Sequence, residues 1–298
     1  MAAGSAVLEL FGECTGRDKG VPWRGLVAKQ RCPFTRTRCF KVRKSEPDIA
    51  IGTCTVRHGK VGRATIICPN RFLERRQVFT DCLHLLAVHE PGNELHLVPE
   101  VSVPGGSIDY FLVSARRGKV HDFAAIEFQA LDTTGSVWPE RQRLLHAVGL
   151  NVPLADIDQT KAFGLNWKMT AKTILMQLHH KAGTFEHIGK RLVVVLQDHL
   201  LSYLRQQFRF DHVADARLGD AVHIHAYSLD ASRQGLSLEL QERSSTDAAG
   251  VARCLGIQAE TRVDLQAITE DLERKISPNT RFTVRGAPLR SVGQLPSE

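Results

Sequence analysis

The stretch SIDYFLVSARRGKVHDFAAIEFQALD, residues 107–132, is the part of the chain whose reading decides the fold. Two runs rich in aliphatic and aromatic residues, IDYFLVSA and DFAAIEFQAL, flank the turn-forming RRGK, which predicts a β-hairpin. Within these apolar runs stand Asp109, Glu127 and Gln129. Side chains alternate faces along a strand, so Glu127 and Gln129 share one side while Ile126 and Phe128 take the other. Asp109 comes from the facing strand to meet Glu127. Charges are rarely left within core strands without a partner or a metal. Two converging carboxylates with an amide beside them make a hard-oxygen site, the kind that Mg²⁺ occupies while also gripping phosphate. A metal held there activates water and stabilises the charge that grows on a phosphodiester. The neutral Gln129 also leaves open a binding-only site on the same hairpin.

Working outward, ELHLVPEVSV (94–103) predicts a further strand, and VFTDCLHLLAVHE (78–90) has the apolar spacing of a helix. NWKMTAKTILMQLHHKA (166–182) predicts a helix capped by Asn166. Beyond it, RLVVVL reads as a buried strand, DHLLSYLRQQF as a helix, and AVHIHAYSLD and LSLELQER as strands. STDAAGVARCLG has the polar start and glycine stop of a helix. Helices and strands alternate, so the expected class is α/β or α+β with a mixed central sheet flanked by helices. There is no internal repeat.

Charge is unevenly placed. The 298 residues carry 39 Lys and Arg against 32 Asp and Glu, a net +7. Residues 1–80 alone hold 16 basic and 6 acidic residues, a net +10. A basic first quarter suits a polyanion, and nucleic acid is the commonest one. No apolar run approaches the ~20 residues of a membrane helix. The start, MAAGSAVLELFGE, lacks the basic opening of a signal peptide, so a cytoplasmic protein is expected.

Seven cysteines, an odd number, argue against a closed disulfide framework and for thiols or metal ligands. Residues 14–80 are rich in Arg, Gly, Thr and Cys, and their texture predicts a small irregular module in need of a staple. Cys32, Cys39, Cys54 and Cys68 fall in that segment. Four thiolates around one tetrahedral ion would fold a segment too poor in apolar residues to fold by itself. Such a sulfur site suits iron or zinc equally. Cys14, Cys82 and Cys254 are left over and read as small buried apolar residues.

Several strings together resemble the NotI-type restriction endonucleases of the PD-(D/E)xK superfamily. The Asp-bearing strand, the turn and the acid-x-polar strand look like that nuclease core, with Gln129 where most members have Lys. AIEFQALDTTGS (125–136) is similar to the Glu-x-Gln strand and its continuation in the NotI type. CPF at Cys32, a cysteine after a short polar stretch, the G-x-C-x-V around Cys54 and CPNR at Cys68 resemble that family's four-cysteine module, in the same order. The recognisable motifs cover roughly residues 30–180. The resemblance implies a PD-(D/E)xK core over residues 81–298 and a basic metal-binding module over 1–80. It further implies Asp109 and Glu127 as Mg²⁺ ligands and Gln129 as the residue orienting water or phosphate. Glu100 in VPEVSV is the best match to an upstream acid that faces the metals. For the module it implies one structural iron per chain.

The expected activity is that of a type II restriction endonuclease, a homodimer cutting double-stranded DNA at a palindromic site and accompanied by a cognate DNA methyltransferase. Arg outnumbers Lys roughly two to one, and Arg is the usual reader of guanine edges, which with the family habit predicts a GC-rich target. Lys168 and Lys172, one turn apart on the 166–182 helix, read either as phosphate contacts or as a solvated face. His179 and His180 read as packing or surface residues. The alternatives are a metal-stapled DNA-binding protein on a decayed nuclease core, or a structure-specific repair nuclease.

Overall fold

The computed structural model describes residues 5–16, 20–59, 61–160, 162–232 and 235–256, together with Arg274. The chain divides into one compact unit, Met1–Gln258, and a second, Ala259–Glu298. Apart from Arg274, the part of the expected 81–298 domain beyond Gly256 lies outside the described residues.

Two sheets carry the first unit. The smaller is built from β1 (Val7–Leu10), β2 (Glu13–Cys14), β3 (Thr53–His58) and β4 (Arg63–Ile66), in the antiparallel order β2-β1-β3-β4. The larger holds β5 (Glu94–Val103), β6 (Gly106–Arg116), β7 (Lys119–Gln129), β8 (Arg191–Gln197), β9 (Ala214–Asp215), β10 (Val222–Ser232) and β11 (Gly235–Thr246). Its order is β9-β11-β10-β8-β7-β6-β5. Only β8 runs parallel to its neighbours, β7 and β10; every other pair is antiparallel. The sheet is therefore mixed, as the alternation of elements predicts.

The helices used below are α1 (Trp138–Ala147), α2 (Trp167–His187), α3 (Asp198–Gln207) and α4 (Ala248–Cys254); further short helices include Trp23–Lys29 and Leu154–Ile157. Helices α2, α3 and α4 cover one face of the large sheet, where Ala125, Val194, Ile224, Ile174, Leu178 and Leu200 share a core. The opposite face packs Ile126, Phe128, Val193 and Val195 against Phe72, Phe79 and Leu85. Ile66 of the small sheet joins that second core. Burying both faces explains why RLVVVL is continuously apolar rather than alternating.

Several local expectations are corrected. Residues 78–90 do not make one helix: a short helix, Gln77–Asp81, is followed by a 3-10 turn, Leu83–Leu85. Asn166 occupies the N-cap position of α2 without a side-chain capping bond, whereas Asp247 caps α4 by accepting from the Gly250 N–H at 2.6 Å. Where the texture of residues 14–80 predicts irregular chain, β3 and β4 form a regular hairpin. Its strand TCTVRH buries Thr53 and Thr55 beside Cys54 and Val56, so polar residues lie inside and no apolar alternation is written in the sequence. Thr55 is satisfied by donating to Glu9, which also accepts from Arg71 at 2.7 Å.

The small sheet is fastened to the large one by a buried amide. Gln197, the last residue of β8, accepts from the Ile66 N–H at 2.6 Å and donates to the Ala64 carbonyl at 3.1 Å. This bond sets the cysteine-bearing segments beside the C-terminal ends of β7 and β8.

Candidate active site

Asp109 on β6 and Glu127 on β7 lie where the hairpin register brings the two strands together near the C-terminal end of β7. Glu127 and Gln129 share the α2 side of the sheet with Ala125, while Ile126 and Phe128 face the other core. Asp109 Oδ2 accepts from the Phe128 N–H at 2.7 Å, which fixes its carboxylate next to Glu127. Both groups border one cavity of about 380 Å³, together with Gln129 and Asp132. Gln129 Nε2 lies 3.3 Å from Gln177 Oε1 on α2.

Burial dominates the electrostatics. It raises the Asp109 carboxyl above its usual range, and the nearby Glu100 charge adds to this, against the Phe128 N–H and Lys181. Burial likewise pushes Glu127 up to about 7, with the Asp109 charge adding and Lys181 opposing. Two carboxylates held this close, both resisting ionisation, form a site that a divalent cation relieves. Glu100 is exposed on β5 at a kink: its φ is +53°, and the pairing with β6 skips from Pro99–Tyr110 to Val101–Ile108. The left-handed backbone of a non-glycine residue is strained, and such strain concentrates at functional positions. The structure thus brings Glu100 within electrostatic reach of Asp109.

Helix α2 supplies residues absent from the sequence-derived set. Thr170, Thr173 and Gln177 line the cavity from one helical stripe, and one turn further Lys181 is buried at 4% exposure. Its ammonium bonds Glu127 Oε1 and donates to the Ser107 carbonyl at 2.6 Å. The close approach needs glycine in the β5–β6 turn: a Cβ on Gly105, at φ +94°, would sit 2.5 Å from the His180 carbonyl oxygen. A lysine on the apolar stripe of Ile174, Leu178, Ala182 and Phe185 was the available signal, since a cation there needs a buried partner. Lys168 and Lys172 stand exposed on α2 and are outside the cavity's lining. His179 is half-buried and His180 exposed.

The cysteine segments form the opposite wall. Phe40 and Lys41, which follow Cys39, and Ile67 and Pro69, which flank Cys68, all line the same cavity. Cys32, Cys39, Cys54 and Cys68 are buried and none is in a disulfide. They feel one another: burial raises the Cys39 thiol, and the Cys68 and Cys32 charges add to the rise. The Cys54 thiol donates to Cys68, lowering Cys68 to about 7, and the Lys41 charge pulls in the same direction. Four free buried thiols of this kind are the donor chemistry of a tetrahedral sulfur site. As the side chains are placed, no group of three or more His, Cys, Asp or Glu among the described residues is set to hold a metal ion. Of the leftover cysteines, Cys82 and Cys254 are buried, with thiols pushed up by that burial, and Cys14 is half-buried.

No helix is long and apolar enough to cross a membrane among the described residues. No curated protein matches the chain. The family model described as restriction endonuclease NotI matches residues 21–236, more than two thirds of the chain, and spans both the cysteine segments and the carboxylate hairpin. A carboxylate-lined cavity on a mixed sheet, walled by cysteine-bearing segments, accords with that match, and the chain belongs to the NotI restriction endonuclease family.

Proposed function

We propose that this protein is a type II restriction endonuclease that hydrolyses double-stranded DNA in a Mg²⁺-dependent reaction, as a homodimer acting on a palindromic, GC-rich site. The observation that carries this reading is the paired carboxylates, Asp109 and Glu127, in one cavity with Gln129. Asp109 and Glu127 would hold the Mg²⁺, with Glu100 entering from β5. When bound, that ion supplies Lewis-acid stabilisation of the phosphate and a more acidic water. Gln129 donates from its amide to the water or to a phosphate oxygen, and its contact with Gln177 sets the amide's orientation. Lys181, beneath the cavity, holds the Glu127 carboxylate in place. Lys168 and Lys172, exposed on α2, are assigned to the DNA backbone.

Residues 1–80 act as the metal module and 81–298 as the nuclease domain. Cys32, Cys39, Cys54 and Cys68 would bind one structural iron or zinc. Their burial, their free thiols and their mutual electrostatic influence support this. The setting is the cytoplasm, with a cognate methyltransferase protecting the host's own sites.

Incubation with phage DNA and Mg²⁺ tests the activity: discrete bands are expected, and smears or intact DNA would refute a site-specific endonuclease. Asp109→Ala and Glu127→Ala should abolish cleavage with DNA binding kept or tightened, because a carboxylate repels phosphate. Either variant cutting at a near wild-type rate would refute the site.

A further inference from the structure

The cavity that holds Asp109 and Glu127 is lined by three carboxylates, counting Asp132, and by a single cationic side chain among the described residues, Lys41. A phosphodiester brings a further negative charge, and the transition state of its hydrolysis spreads more charge over the same oxygens. One divalent cation does not neutralise that total, so a second positive group in the cavity has a defined electrostatic task. Gln129 carries no charge, and Lys181 is buried against Glu127 outside the lining. We propose that Lys41 is a catalytic residue of the nuclease, contacting the phosphate that is cut and delivered to it by the cysteine module.

The placement of Lys41 is built by the fold. Its own carbonyl accepts from the Ile51 N–H at 2.8 Å, and its ammonium donates to the Ile67 carbonyl, the residue before Cys68. The side chain is therefore strung between the loop that ends at Cys39 and the segment that carries Cys68. A carbonyl is a neutral acceptor, so this bond orients the ammonium without cancelling its charge. An ammonium has three N–H donors, and the carbonyl takes one. The others remain for phosphate oxygens. Whatever holds the two cysteine segments together thereby also sets the position of a charge in the active site, 68 residues before Asp109 in sequence terms of the hairpin's first acid. 

This inference rests on the nuclease reading above, and the experiment separates the two. Wild type, Asp109→Ala, Lys41→Met and Lys41→Gln are compared as full chains by single-turnover cleavage of phage DNA in Mg²⁺, by DNA binding in Ca²⁺, and by thermal unfolding. Lys41→Gln keeps a donor for the Ile67 carbonyl while removing the charge. The expected result is a loss of cleavage rate on the order of 10² or more in both Lys41 variants, by analogy with other positioned donors. DNA binding should stay within about threefold and the melting temperature should be unchanged in Lys41→Gln. If Lys41→Met melts early, Lys41→Gln decides. A folded Lys41→Gln protein that cuts within threefold of the wild-type rate overturns the proposal. So does a rate loss no larger than the loss of DNA binding, which makes Lys41 an ordinary backbone contact. A wild-type protein that does not cut, or an Asp109→Ala protein that does, removes the nuclease site itself and the role of Lys41 with it.

Discussion

Replacing Lys181 by Met exposes how the fold tolerates a carboxylate that it has buried. The substitution keeps the length and apolar stem of the side chain and removes the ammonium from Glu127 and from the Ser107 carbonyl. Both members of the ion pair are buried, with side-chain exposures of 5% and 8%. Breaking such a pair from one side costs ~3–5 kcal/mol where the remaining charge cannot escape. Glu127 can escape by taking up a proton, because its carboxyl already lies near 7 with the lysine present. The cost must therefore depend on pH. At pH 6 Glu127 is largely protonated in both proteins, and the loss reduces to hydrogen bonding, about 1 kcal/mol. At pH 8.5 the wild-type carboxylate is ionised and paired. In the variant it must either stay charged without a partner or bind a proton against the solvent. Holding a proton about 1.5 pH units above the wild-type value costs about 2 kcal/mol more. The sign follows from proton binding: the native variant holds a proton that the unfolded chain has released, so stability falls as pH rises. Urea unfolding without added divalent cation, at pH 6 and 8.5, measures this. The expected destabilisation is about 1 kcal/mol at the lower pH and about 3 kcal/mol at the higher. A loss that is the same at both would show that Glu127 does not depend on Lys181 for its charge.

The same carboxyl makes the proposed Mg²⁺ site testable by pH. Raised to about 7, Glu127 makes Mg²⁺ compete with a proton, so apparent Mg²⁺ affinity should rise with pH below about 7 and level off above it; a flat titration from pH 6 to 8 would remove Glu127 from the ligand set. Gln129→Ala should lose on the order of 10² in cleavage rate, while Gln129→Lys should retain some activity; a fully active Gln129→Ala enzyme would place Gln129 outside the reaction. Changing any of Cys32, Cys39, Cys54 or Cys68 to Ser should release one iron or zinc per chain, read by elemental analysis, and make residues 14–80 sensitive to protease. The same change at Cys14, Cys82 or Cys254 should leave the metal bound, and a metal lost with one of these would place that cysteine in the ligand set and refute the assignment of the four.

What the chain announces by itself is local. The two strands of residues 106–129 and the turn between them follow from two apolar runs flanking RRGK, and the shared face of Glu127 and Gln129 from the alternation of side chains along a strand. The unbroken apolar β8, buried on both faces, and the amphipathic α2, buried on one, are legible for the same reason: burial leaves its imprint in the neighbouring residues themselves. The cysteine motifs were legible for a different reason: a cysteine string is recognised as a pattern, without its geometry. Where polar residues are buried in pairs, the pattern fails. Thr55 and Glu9 satisfy each other inside the small sheet across 46 positions, and nothing in TCTVRH marks it as a buried strand. The composition of the cavity around Asp109 and Glu127 was likewise decided only by tertiary structure. Lys181 reaches Glu127 across 54 positions, and Lys41 arrives from the cysteine module because Gln197 bonds the small sheet to the end of β8. A hydrogen bond between distant segments leaves no periodic trace in either one; it exists only once the sheets are packed, and it is this packing that places two lysines around a pair of carboxylates.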